Sequence, residues 1–234
     1  MVHPDLRQSM YDSLEDYQWF FVIAVLCTRY KKDNSRYYET ALLEISRKNF
    51  KTFTSAIVFI ILLIIEPQFC RFFSVAPNYK LSCELKLAVD KIIKCSPALR
   101  DKFKINADVV TCKINDSNYT PLAFSNDSLD GKLANCFLID ECGLLNDYPL
   151  EAMRSSQITI KDKLGVIIST QYPNDNNAFL TEIDIAKKTI DGLLDNKRYF
   201  ALLYEPNEEI RVNWRTDDNC IYQSNPVAVS NEAI

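Results

Sequence analysis

At 234 residues and 27.0 kDa, with 47% hydrophobic and 25% charged residues, the chain has material for one sizeable α/β core and is too apolar to be disordered. A formal net charge of −4 and a pI near 5.2 exclude general attraction to nucleic acid, so any such contact needs a local basic patch. The eight cysteines form no CxxC pair and the one histidine, His3, lies near the start, so zinc ligation has no signature here. No signal peptide is visible, and reduced cysteines in a cytoplasmic protein is the simpler reading.

Hydrophobic runs alternate with amphipathic stretches, the pattern of a mostly parallel sheet covered by helices. Residues 12–28 predict a helix rich in aromatics (Tyr17, Trp19, Phe20, Phe21), and 37–45 a strand. The loop 46–52 leads into the most apolar segment, 55–65. That segment falls well short of the roughly 20 residues needed to cross a bilayer, and Glu66-Pro67 ends it, so a buried helix is expected and no membrane partner. A strand over 71–75 turns at Ala76-Pro77-Asn78 into a helix running to about residue 95, where Pro97 marks its end. Residues 105–114 and 119–124 predict paired strands around a polar turn at 115–118. Residues 135–139 form a short buried strand, 148–155 a helix, 164–169 a strand, 181–194 a long helix and 198–203 the last strand. From Glu205 the chain turns polar and irregular, so residues 1–204 read as one domain and 205–234 as a tail or linker.

Three segments carry chemistry. Ser46-Arg47-Lys48-Asn49-Phe50-Lys51-Thr52 sits between a buried strand and a helix, where backbone N–H groups and the helix dipole bind phosphate. Lys51 suits the outer phosphates of a nucleotide and the Thr52 hydroxyl suits Mg²⁺, while Arg47 and Lys48 add positive charge on the approach. Taken alone, the segment lacks both glycines of the GxxxxGK[ST] pattern and reads as a solvated basic turn. The later segments reverse that reading. Leu138-Ile139-Asp140-Glu141 is an apolar strand that delivers Asp140 to a metal shell and Glu141, as general base, to an attacking water. Ile167-Ile168-Ser169-Thr170 ends a third strand in hydroxyls suited to sensing the γ-phosphate.

In this order the segments resemble the ATPase half of the large terminase subunit of tailed bacteriophages, along residues 17–226. Residues 39–52 are similar to that family's strand and Arg-Lys-Asn-Gly-Lys-[Ser/Thr] loop. Asp130-Gly131 ahead of Phe137-Leu138-Ile139-Asp140-Glu141 is similar to its Walker B region, Leu150 to Arg154 to the helix that follows, and Ile168-Ser169-Thr170 to its coupling segment. Ala186-Lys187-Lys188, Gly192, Phe200, Tyr204-Glu205-Pro206, Trp214 and Ser224-Asn225-Pro226 follow in the expected order. The resemblance implies a P-loop NTPase fold of the ASCE type and a motor that hydrolyses ATP with Mg²⁺ to move double-stranded DNA into a capsid. It also implies work as a homo-oligomeric ring on the portal, with the small terminase subunit as a partner, in the cytoplasm of the host bacterium. By similarity, Tyr17 and Gln18 contact adenine, Arg47 contacts phosphate, and Ser169 and Thr170 couple hydrolysis to motion.

Two departures stand out. Phe50 replaces glycine before Lys51, where a positive φ would cost a bulky side chain roughly 1–3 kcal/mol; Asn49, tolerant of left-handed geometry, is expected to share the turn. The chain also stops at Ile234, before a nuclease domain, so DNA cleavage is not expected of it. Rival readings are an impaired fragment acting as a docking or assembly module without turnover, and a helicase-like ATPase. Arg154 reads as an arginine finger or, more plainly, as a surface partner of Glu151. Lys86, Lys91 and Lys94 fall near one face of the 78–95 helix, suited to DNA phosphates or to plain solvation.

Overall fold

The computed structural model describes residues 1–124 and 129–228. Its centre is an eight-stranded sheet: β1 (Thr40–Glu44), β2 (Arg71–Val75), β3 (Phe103–Ile105), β4 (Val110–Cys112), β5 (Asn118–Leu122), β6 (Cys136–Asp140), β7 (Leu164–Ser169) and β8 (Tyr199–Leu203). The strand order is β3-β4-β5-β2-β6-β7-β1-β8. From β5 to β8 all neighbours run parallel, and β3 and β4 add an antiparallel edge.

The helices are α1 (Asp16–Cys27), α2 (Lys51–Ile65), α3 (Tyr79–Cys95), α4 (Pro97–Arg100), α5 (Tyr148–Ser155), α6 (Ala178–Ile190), α7 (Glu208–Arg211) and α8 (Asn219–Ser224). Strand alternation sorts the side chains into two apolar layers. Ala41, Leu43, Leu138, Val166 and Ile168 face α1, α2 and α3, while Leu42, Phe137, Ile139 and Ile167 face α5 and α6. Because both faces are covered, β6 and β7 are buried at every residue, which is why they read as unbroken apolar runs. The same logic explains α2. It lies between the sheet and its neighbours α1 and α3, so nearly all its faces are apolar. Among the described residues no helix is long and apolar enough to cross a membrane.

The expected elements are present, with bounds that shift for local reasons. The stretch 105–114 is not one strand: β3 and β4 form a hairpin closed by Asn106 N–H on the Val109 carbonyl at 2.9 Å, and β4 then pairs with β5 across the expected turn. Pro97 opens α4 rather than only closing α3, using its fixed φ at the first helical position. The long helix begins at Ala178, three residues before its expected start, because Asn177 caps the backbone N–H groups of Phe179 and Leu180. It ends at Ile190, ahead of Gly192 at φ 72°. The segment after Glu205 is not irregular. It carries α7 and α8, and it returns Val227, fully buried, to the layer under α1.

One glycine inside a strand has a packing reason. A Cβ on Gly165 of β7 would lie 2.5 Å from Phe137 Cζ, so its absence lets the phenyl ring of β6 cross the neighbouring strand.

Candidate active site

The carboxyl ends of β1, β6 and β7 meet at one edge of the sheet, and every segment singled out for chemistry leaves from there. The chain leaves β1 at Glu44 and enters α2 at Lys51. Between them Lys48 (φ 68°) and Phe50 (φ 58°) adopt left-handed geometry. The phenylalanine therefore keeps the conformation that glycine normally supplies, and its ring escapes outward, 49% exposed. Asn49 does not share the left-handed turn as expected. It contributes through its side chain instead, 1% exposed, with Nδ2 donating to the carbonyls of Ser46 (3.1 Å) and Arg47 (3.2 Å) and to Asn225 Oδ1 (2.7 Å).

Tyr17 and Gln18 are buried against this loop. The Tyr17 hydroxyl donates to the Asn49 carbonyl, and Gln18 Nε2 donates to Thr54 Oγ1 at 2.7 Å. Gln18 Oε1 accepts from the backbone N–H of Glu15, closing the α1 capping box. These side chains brace the loop from α1, and the structure places both within the wall behind it.

Across the loop, the Lys51 ammonium pairs with Glu141 Oε1 at 2.9 Å, and the Thr52 hydroxyl donates to Asp140 Oδ2 at 3.0 Å. Asp140 Oδ1 accepts from the Glu141 backbone N–H at 2.8 Å, so both its oxygens are held. Burial pushes the Asp140 carboxyl up to about 6, with Lys51 and Thr52 opposing and Glu141 adding to the shift. A divalent cation beside Thr52 and Asp140 would supply the missing positive charge. No cluster of three or more His, Cys, Asp or Glu suited to a metal occurs among the described residues. Mg²⁺ fits nevertheless, because it commonly takes one or two protein oxygens and fills its octahedron with water and phosphate.

Ser169 ends β7 and Thr170 follows it. Ser169 Oγ donates to the Thr170 carbonyl at 2.7 Å and accepts the Gly143 backbone N–H at 3.0 Å, which links the end of β7 to the turn just past Glu141. Glu141 itself sits at φ 51°, a third left-handed position at the same edge after Lys48 and Phe50. Sequence reasoning missed Tyr172, whose hydroxyl donates to Glu141 Oε2 at 2.9 Å and accepts from Arg47 Nη2 at 3.3 Å. Its only signal was an aromatic residue close behind the hydroxyl pair.

A cleft of 660 Å³ opens beside the loop, lined among others by Ser46, Arg47, Thr170, Tyr172, Tyr204 and Arg211. Glu44, buried at the end of β1, also lines it. Burial raises that carboxyl to about 7, Glu205 adds to the shift, and Gln171, which donates to Glu44 Oε1, opposes it.

The family described as terminase large subunit, ATPase domain, matches residues 16–188. The chain belongs to that family. Among solved structures, the large terminase of bacteriophage HK97 matches with a TM-score of 0.79 at 22% identity, covering 97% of this chain and 45% of that one. The large terminase of a thermophilic bacteriophage, in complex with ADP, matches at 0.60 and 10% identity, covering 86% and 49%. The ATPase domain of the Thermus phage P74-26 large terminase matches at 0.51 and 14%, covering 69% and 72%. At these identities the likeness shows the terminase ATPase fold alone. The chain spans about half the length of the first two of these terminases. No curated protein matches it in sequence.

Within this terminase fold two expectations are corrected. Arg154 pairs not with Glu151 but with Glu182 of α6, both guanidinium nitrogens lying 2.7 Å from its carboxylate oxygens. Tyr199 OH donates to the same carboxylate at 2.8 Å, so Arg154 is committed within the fold rather than reaching outward. Lys86 does not share a face with Lys91 and Lys94, which lie three residues apart and are both exposed. Lys86 is buried, Lys94 is exposed and paired with Asp90 at 2.8 Å, and Lys91 lines a 330 Å³ cavity with Thr52, Asp140 and Glu141. A five-residue step turns a helix by about 140°, which separates Lys86 from Lys91.

Proposed function

We propose that this domain hydrolyses ATP with Mg²⁺ and couples hydrolysis to movement of double-stranded DNA into a viral capsid. The observation that carries the reading is the convergence of Lys51 and Thr52 with Asp140 and Glu141 across the ends of β1 and β6. Phosphoryl transfer asks a protein mainly for positioning and charge, and these are the groups that provide both. The loop N–H groups, Arg47 and Lys51 hold the phosphates. Thr52 and Asp140 would hold Mg²⁺, which when bound would supply positive charge to the phosphoryl oxygens. Glu141 takes the proton of the attacking water: both oxygens of Asp140 are held by the strand end and Thr52, whereas Glu141 Oε1 is held by Lys51, which a γ-phosphate draws away.

In the structure Lys51 and Glu141 neutralise each other at 2.9 Å. Arrival of a γ-phosphate gives Lys51 a stronger partner and frees Glu141 to turn toward water. The Ser169 contact to Gly143 then carries the change to β7, which supports a coupling role for Ser169 and Thr170. As in the resemblance, the working form is a homo-oligomeric ring on the portal, with the small subunit, in the host cytoplasm.

Glu141→Gln tests the assignment. The variant is expected to bind ATP with wild-type affinity and to lose turnover by at least about 100-fold. Equal turnover in folded protein overturns Glu141 as base.

A further inference from the structure

Tyr172 is a half-buried aromatic that no motif claims, and it touches three separate parts of the site. Its hydroxyl donates to Glu141 Oε2 at 2.9 Å, while the other oxygen of that carboxylate rests on Lys51 at 2.9 Å. The same hydroxyl accepts from Arg47 Nη2 at 3.3 Å, and the Arg47 guanidinium carbon lies 5.4 Å from the ring centroid. The ring edge covers Gly143, where a Cβ would come within 2.7 Å of Tyr172 Cδ2.

These contacts have a common consequence. Arg47 is exposed on the phosphate loop, and a long cation on a mobile stem gains definition from an aromatic face. Glu141 is held at one oxygen by the Tyr172 hydroxyl and at the other by Lys51, the group that the proposed mechanism gives over to the γ-phosphate. When Lys51 leaves, the Tyr172 bond remains as the pivot that fixes where the free oxygen points. A general base must meet its water within hydrogen-bond reach, so that orientation bears on rate rather than on binding. Tyr172 also belongs to the segment that starts at Ser169, whose hydroxyl takes the Gly143 N–H at 3.0 Å. The end of β7 thus grips the glutamate turn twice, once by backbone and once by carboxylate.

We infer that Tyr172 is a positioning residue that aims Glu141 and seats Arg47, tying both to the coupling segment. The inference rests on the reading of Glu141 as the base in ATP hydrolysis. Tyr172→Phe keeps the ring over Gly143 and under Arg47 and removes only the hydroxyl; Tyr172→Ala removes both.

The test is turnover and ATP affinity of the full chain for wild type, Tyr172→Phe, Tyr172→Ala, Glu141→Gln and the Glu141→Gln/Tyr172→Phe double variant. Tyr172→Phe is expected to lower kcat by about 10-fold with ATP affinity within about 2-fold of wild type. Tyr172→Ala is expected to weaken ATP binding as well, because Arg47 loses its platform. The double variant is expected to be no slower than Glu141→Gln alone, since the hydroxyl acts through that carboxylate. A wild-type kcat in Tyr172→Phe overturns the inference and leaves the ATPase reading intact. So does a loss that adds to that of Glu141→Gln, which would mark a merely structural effect. Failure of wild type to bind ATP overturns the reading and the inference together.

Discussion

Asp140 shows how a single residue is tuned by where its strand ends. It is buried at the carboxyl edge of β6, so desolvation raises its carboxyl to about 6 although Lys51 and Thr52 both stabilise the anion. A group raised in the folded state contributes stability that is present below its unfolded value near 4 and is lost as pH climbs through about 6. Asp140→Asn removes that loss. Its melting temperature is predicted to exceed that of wild type at about pH 8, with the gap closing toward about pH 4, and a gap independent of pH would refute this. At this scale the sequence was readable where chemistry is local. Lys51, Thr52, Asp140 and Glu141 stand in short patterns whose neighbours specify strand end and helix start. Tyr172 was not readable, because its meaning depends on Glu141 and Arg47, 31 and 125 residues away along the chain. The lysines of α3 show the same limit, since apolar neighbours bury Lys86 and leave Lys94 in solvent.

Whole elements follow the alternation of apolar residues closely, because β6, β7 and α2 are each covered on more than one side. Their ends were less legible. α6 starts where Asn177 can cap it, and the 105–114 stretch breaks into a hairpin for want of a continuous partner strand. Packing between elements has sharp requirements that composition hides. Gly165 lies under the Phe137 ring, and β7 carries Ser169 at its far end. Gly165→Ala is predicted to destabilise the domain by about 1–3 kcal/mol in urea unfolding, as the ring or a strand is forced to move. A change under about 0.5 kcal/mol would show that the layer is looser than the structure has it. Replacing the exposed Ile158 by Ala is the matched control, expected to fall within about 0.5 kcal/mol.

At the scale of the whole molecule, the last described residues return to the first functional ones. Ser46 N–H reaches the Ser224 carbonyl, Asn49 Nδ2 reaches Asn225 Oδ1 at 2.7 Å, and Val227 is buried beneath. The polar composition after Glu205 suggested a linker, yet a few apolar and amide side chains suffice to dock the segment when the receiving surface already exists. This docking braces the left-handed turn at Phe50, whose side chain offers nothing in return. Asn225→Ala is predicted to lower stability by about 1 kcal/mol and to weaken ATP binding by about 5-fold, measured by urea unfolding and nucleotide titration. Loss of stability with unchanged affinity would confine the contact to a structural role. With a net charge of −4 the molecule as a whole does not attract DNA, so the proposed translocation would draw on local basic surface.

The most direct measurement is Mg²⁺-dependent ATP hydrolysis by the full chain, with and without double-stranded DNA, comparing wild type with Lys51→Ala and Phe50→Gly. The account predicts hydrolysis in wild type, its loss in Lys51→Ala, and equal or faster turnover in Phe50→Gly, where the φ of 58° no longer carries strain. Hydrolysis that persists in Lys51→Ala, or none in either wild type or Phe50→Gly with or without DNA, would contradict it.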